Sequence, residues 1–154
     1  LYEPPLQDRI DLGVVKRIEV LLQAGNRDEA VTTFLGEIVR LPADEVQAMR
    51  SRPSWSAFTA GVGSQPRELR ALAAYRFQPE RMPAVRMPTL LITGSDTASP
   101  YLKEAIRSLQ ASLPHPTLVV IKGQQHNAMD SDRPQLAAAI TRFLADAGGE
   151  TRKE

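Results

Sequence analysis

Two short apolar runs, Thr-Leu-Leu-Ile-Thr at 89–93 and Leu-Val-Val-Ile at 118–121, constrain this chain more than any other feature. Each is rich in β-branched residues, and each is closed by glycine, the first by Gly94 and the second by Lys122-Gly123. That is the pattern of strands buried on both faces of a parallel sheet. Between them, residues 101–113 place Leu102, Ala105, Ile106, Leu109 and Leu113 at helical spacing, with Pro100 just before the start and Pro114 at the end. Strand, helix and strand in that order predict a βαβ unit. A right-handed crossover lays the two strands parallel, so the turns after them open at one edge, where open α/β sheets hold their ligands. That edge receives Asp96 from the first turn and His126 from the second, an acid and a base.

The rest of the chain frames this unit. Leu1-Tyr2-Glu3-Pro4-Pro5-Leu6 reads as the end of a strand running into a stiff turn, because two prolines cannot continue a ladder. Residues 10–78 carry helical patterns at 12–24, 28–39, 42–50, 54–61 and 66–75. Gly25-Asn26 stops the first of these, and Asp44 and Glu45 favour the first turn of the third. Residues 77–88 hold three prolines and no helical period, and so read as the hinge that returns the chain to the sheet. After His126, Ser131-Asp132-Arg133-Pro134 predicts a helix start, and Leu136, Ala137, Ile140, Phe143 and Leu144 an apolar stripe that covers the sheet. Residues 148–154 are polar and expected to fray.

Composition excludes several classes. With 154 residues, 42% of them hydrophobic, the chain buries a sizeable core. Lys and Arg number 19 against 18 Asp and Glu, without a basic stripe, so no nucleic-acid partner is expected. The absence of cysteine excludes disulfides, thiolate catalysis and cysteine-type zinc sites, and fits a reducing, cytoplasmic setting. No apolar run approaches the ~20 residues of a membrane span, and no membrane partner is expected. No metal-ligand spacing or phosphate-cradling loop is present, so neither a metal nor a cofactor is expected. The chain begins at Leu1 and not at Met, so the lack of a leader carries no weight.

The stretch 87–127 resembles the end of the α/β-hydrolase fold, in which a Leu-Leu-Ile-x-Gly strand precedes the triad acid and a Val-x-x-Gly-x-x-His strand and turn carries the catalytic histidine. The matching residues are Leu90, Leu91, Ile92, Gly94 and Asp96, then Val120, Gly123 and His126. Leu1-Tyr2-Glu3-Pro4-Pro5 is similar to the sixth core strand and its exit towards the cap. The resemblance covers essentially the whole chain but only the last part of the family's fold. It implies an α/β class, an incomplete α/β-hydrolase fold. A strand stub and turn would occupy 1–9, a helical cap 10–78, the carboxyl-terminal part of the core 79–147 and a flexible tail 148–154.

For the site, a histidine in such a turn can offer one ring nitrogen to a nucleophile while the other donates to a carboxylate, at ~2.6–3.2 Å per hydrogen bond. The resemblance implies His126 as this base and Asp96 as the acid that orients it, although the family commonly places the acid one residue later, at Thr97. An Asx-turn leading into the next helix is the plainer reading of Asp96. Glu3 is the alternative acid, because some members, haloalkane dehalogenases among them, carry it at the end of the sixth strand. Its plainer reading is a strand-end carboxylate capping backbone N–H groups. His115, between Pro114 and Pro116, reads as a solvated loop residue. No Gly-x-Ser-x-Gly elbow occurs; Ser64 lacks a preceding strand, and Gly94-Ser95-Asp96-Thr97-Ala98 is followed too soon by the last strand to be an aspartate elbow. Phe34, Met49, Trp55 and Phe58 read mainly as packing between helices, together forming an apolar pocket roof.

The implied parent hydrolyses small, moderately apolar esters or related substrates without a cofactor. This chain alone, lacking nucleophile and oxyanion hole, is expected to be inactive and to need a missing amino-terminal half or a second copy of itself as partner. The alternatives are a non-catalytic binding or interaction module, or part of a haloalkane dehalogenase-like or epoxide hydrolase-like enzyme.

Overall fold

The computed structural model describes residues 1–6 and 10–150. The expected turn at 7–9 and the last four residues of the expected tail lie outside the described residues. Two compact units divide the chain: Leu1–Leu6 with the residues from Phe77 onward, and the helical stretch that ends at Arg76.

In the first unit, strand β1 (Thr89–Gly94) pairs in parallel with β2 (Pro116–Ile121), in a register that sets Thr89 beside Pro116 and Gly94 beside Ile121. Leu1–Glu3 runs along the other side of β1. There the Ile92 N–H donates to Leu1 O at 2.8 Å and the Glu3 N–H to Ile92 O at 3.0 Å. The expected βαβ unit is therefore present, with a third extended segment on its far side. Side chains alternate across β1. Leu91 packs with Ile106 and Leu109 of the crossover helix and with Leu113 just after it, while Leu90 and Ile92 pack with Ile121, Leu136, Ala139 and Phe143 on the opposite face. Residues 77–88 do more than return the chain. They include a 3-10 turn, Pro79–Ala84, and set Phe77, Met82 and Val85 against the crossover-helix cluster.

In chain order the helices are α1 (Leu12–Gln23), α2 (Arg27–Thr33), α3 (Ala43–Arg50), α4 (Trp55–Gly61), α5 (Gln65–Ala74), α6 (Pro100–Ser112), α7 (Ala128–Ser131) and α8 (Arg133–Glu150). Helix α8 starts on Asp132, whose Oδ1 accepts from the Gln135 N–H at 3.1 Å. It continues to Glu150, so the helix extends into the first residues of the expected tail. The four-residue α7, directly after the histidine turn, had no sequence signal of its own.

The helical unit is built around Val14, Val15, Ile18, Ala30, Val31, Leu35, Val46, Trp55, Val62 and Leu69. Helix α1 begins at Asp11, whose carboxylate caps the Gly13 N–H at 2.7 Å, and ends in left-handed Gly25 at φ 79°. The single helix expected over 28–39 is α2 followed by a π-helical turn, Phe34–Ile38. Asp28 ties three helices together, because its carboxylate accepts from Trp55 Nε1 at 2.7 Å and from Arg50 at 2.5 Å. Trp55 belongs to this core and Phe34 and Met49 pack against it, whereas Phe58 is exposed. Among the described residues, no helix is long and apolar enough to cross a membrane.

Candidate functional site

Three strand ends converge at the carboxyl edge of the sheet: Glu3, the turn Gly94–Thr97 and the turn Gly123–His126. Their closeness depends on a missing side chain. A Cβ on Gly94 would lie 2.1 Å from Gln124 O and 2.8 Å from Gln125 O, so only glycine lets the histidine turn sit against the end of β1. Gly123 opens that turn at φ 70°, where glycine carries no steric penalty. The turns are also tied directly. Asp96 N–H donates to Gln124 O at 2.9 Å, and Gly123 N–H to Ser95 Oγ at 2.8 Å.

Within this frame Glu3 Oε2 lies 2.9 Å from His126 Nδ1. The two partners differ sharply in exposure, since the Glu3 side chain is wholly buried and that of His126 is 57% exposed. The other carboxylate oxygen, Oε1, accepts from Thr93 Oγ1 at 2.6 Å, from the Gly94 N–H at 2.9 Å and from the Thr97 hydroxyl. Burial pushes the Glu3 carboxyl up, but the hydrogen bonds from Thr93, Thr97, Gly94 and His126 outweigh it and hold its pKa below the ordinary 4.5. Glu3 is therefore an ionised acceptor at neutral pH. An ionised carboxylate only accepts, so the imidazole proton belongs on Nδ1, and in the neutral ring Nε2 keeps its lone pair.

A second residue of the first segment braces the same turn. The Tyr2 hydroxyl donates to Gln125 O and accepts from the Ala128 N–H at 3.2 Å, and its ring centroid lies 5.6 Å from that of His126. Tyr2 thus grips the chain on both sides of the histidine. Burial, opposed by the Ala128 N–H and aided by the Glu3 charge, raises its phenol above the ordinary range, which keeps the donor protonated.

No protein-family model matches the sequence, and no curated protein does. A solved structure described as an alpha/beta hydrolase from Sphaerobacter thermophilus matches with a TM-score of 0.77 and 26% sequence identity, over 93% of this chain and 56% of that one. The fold is the carboxyl-terminal portion of an α/β-hydrolase. The chain accordingly spans little more than half the length of the hydrolase it matches.

Within this α/β-hydrolase portion, the first-choice pairing of His126 with Asp96 is corrected, for Glu3 holds the ring and Asp96 is exposed. Asp96 Oδ1 instead accepts from the Ser95 hydroxyl at 2.7 Å, and that hydroxyl receives the Gly123 N–H. The aspartate braces the histidine turn from outside. Thr97 lies buried under Glu3. The plainer reading of Glu3, a cap on backbone N–H groups, holds for Oε1 while the pairing reading holds for Oε2. His115 is exposed, and Ser64 sits in a 3-10 turn of the helical unit with its hydroxyl on Gly61 O. Tyr2, Thr93 and Ser95 were not singled out by sequence; their signal was adjacency to residues that were. Among the described residues, no group of three or more His, Asp or Glu is placed to hold a metal ion.

Proposed function

We propose that this chain carries the acid and base of an α/β-hydrolase active site, with His126 as general base and Glu3 as the acid that orients it. The observation that supports the reading is the 2.9 Å contact between buried Glu3 Oε2 and His126 Nδ1 at the carboxyl edge of the sheet, with the ring open to approach. Glu3 fixes the Nδ1–H tautomer and stabilises the imidazolium when Nε2 takes a proton from a nucleophile. The nucleophile and oxyanion hole belong to earlier strands of the fold, and in chain order the helical residues 10–76 stand where a cap is inserted. The substrate class is a small, moderately apolar ester.

Hydrolysis of short p-nitrophenyl esters by the chain alone, and with a fragment carrying the earlier strands and their nucleophile elbow, tests this. The expected result is no turnover alone and turnover in the mixture that falls at least ~10³-fold in His126→Ala. Turnover by the chain alone that depends on His126, or mixed activity indifferent to His126→Ala and Glu3→Gln, overturns it. The placement of the acid on the segment before the helices also supports a second reading, a dehalogenase-like parent with an aspartate nucleophile. Halide release from short haloalkanes by the same mixture, in place of ester hydrolysis, is the outcome that reading expects.

A further inference from the structure

The two oxygens of Glu3 are used very differently. Oε1 receives three donors, the hydroxyls of Thr93 and Thr97 and the Gly94 N–H, while Oε2 has His126 Nδ1 alone. Each carboxylate oxygen offers about two lone-pair directions, so three donors saturate Oε1. Turning the carboxylate plane away from this arrangement would disrupt all three of these bonds together with the contact to His126. Capping the end of β1 would require only the Gly94 N–H; the two hydroxyls go beyond that need. They also come from β1 and its turn, not from the segment that bears Glu3. Thr97 is 2% exposed, so its hydroxyl is a buried donor aimed at a buried acceptor. The titratable groups facing Glu3 are His126, by hydrogen bond, and Tyr2, by charge.

We infer that Thr97, supported by Thr93, is a positioning residue of the acid–imidazole pair: the hydroxyls hold one oxygen of Glu3 so that the other faces His126 Nδ1 in a single orientation. The inference rests on the reading of Glu3 and His126 as an acid–base pair, and adds what sets that pair. The threonines touch no substrate and act only through Glu3. Their consequence is a fixed tautomer: in the neutral ring the proton sits on Nδ1 and the lone pair on Nε2.

The test needs no turnover, so its failure is distinct from failure of the catalytic reading. The chain is labelled with ¹⁵N in histidine and ¹³C in glutamate, as wild type, Thr97→Val, Thr97→Ser, Thr93→Val and the core control Ile121→Val. The ring-nitrogen shifts of neutral His126 report the tautomer, and the Glu3 carboxyl shift reports its titration midpoint. Wild type is expected to show the Nδ1–H form and a midpoint below 4.5. Thr97→Val is expected to mix the tautomers and move the midpoint upward, because a donor to the ionised form is lost; Thr97→Ser keeps both wild-type values, and Ile121→Val changes neither. Unchanged tautomer and midpoint in Thr97→Val, or equal changes in Ile121→Val, overturn the inference. If Thr97→Val does not fold, the half-buried Thr93→Val decides by the same two readouts, and wild-type values there overturn it.

Discussion

Glu3 adopts φ 39°, a left-handed conformation that costs a residue bearing a Cβ about 1 kcal/mol or more, and the bonds made by its carboxylate hold it there. Its lowered folded pKa has a definite sign. The ionised form contributes stability above the ordinary 4.5, and that contribution is lost as pH falls through the lower folded value. Glu3→Gln should therefore cost about 2 kcal/mol at pH 7, the scale of a charge-assisted hydrogen bond, and should flatten the acid limb of stability. Thermal melts from neutral to acid pH check both, and parallel acid limbs in the two proteins would contradict the assignment. Gly94→Ala acts by contact alone. Its Cβ would meet Gln124 O at 2.1 Å, so the histidine turn must move. A loss of at least about 2 kcal/mol in urea unfolding is expected, with shifted His126 ring resonances.

At the scale of elements, periodicity placed the helices better than it placed their faces. The helical pattern at 12–24 has Leu12 and Val20 among its apolar positions, yet these are 51% and 52% exposed while Val14, Val15 and Ile18 are buried. In α8, Leu136, Ala139 and Phe143 pack on the sheet, and Leu144 is 62% exposed. A 3.6-residue repeat gives the spacing of a stripe, but with many apolar residues its direction is settled by the partner surface. The π turn at Phe34–Ile38 lies where the chain must reach Arg40 at φ 64°, a bend that no local residue preference announces. Asp28 carries the prediction at this scale. Its removal in Asp28→Ala takes acceptors from Trp55 and Arg50, so the helical unit should lose about 1–2 kcal/mol and Trp55 emission should shift to the red. Unchanged emission and unfolding would mean that α2, α3 and α4 are held by apolar packing alone.

For the whole molecule, the exposed edges of the sheet matter most. Among the described residues β2 pairs on one side only, with β1, and Val120 on it is 53% exposed. An uncharged, half-apolar edge of this kind favours pairing with another chain. The chain is therefore expected to self-associate at micromolar concentration. Addition of a fragment carrying the earlier strands of the fold should dissociate it, and Val120→Lys should weaken the association. Sedimentation velocity measures this, and a monomer across the concentration range would refute it.

The sequence by itself determined the βαβ unit and the edge to which its turns bring His126, because strands, crossover and turn are written in contiguous residues. Gly94 marked where backbones come close, and Gly123 where the chain takes a left-handed turn. The partner of His126 was decided only by tertiary structure. Asp96 and Glu3 were both carboxylates at the ends of extended segments, and no local pattern distinguishes one that turns outward onto Ser95 from one that turns inward onto Thr97. That choice depends on contacts between Leu1–Glu3 and β1, about ninety residues apart in the chain, and on three donors that exist as a group only after the strands have paired.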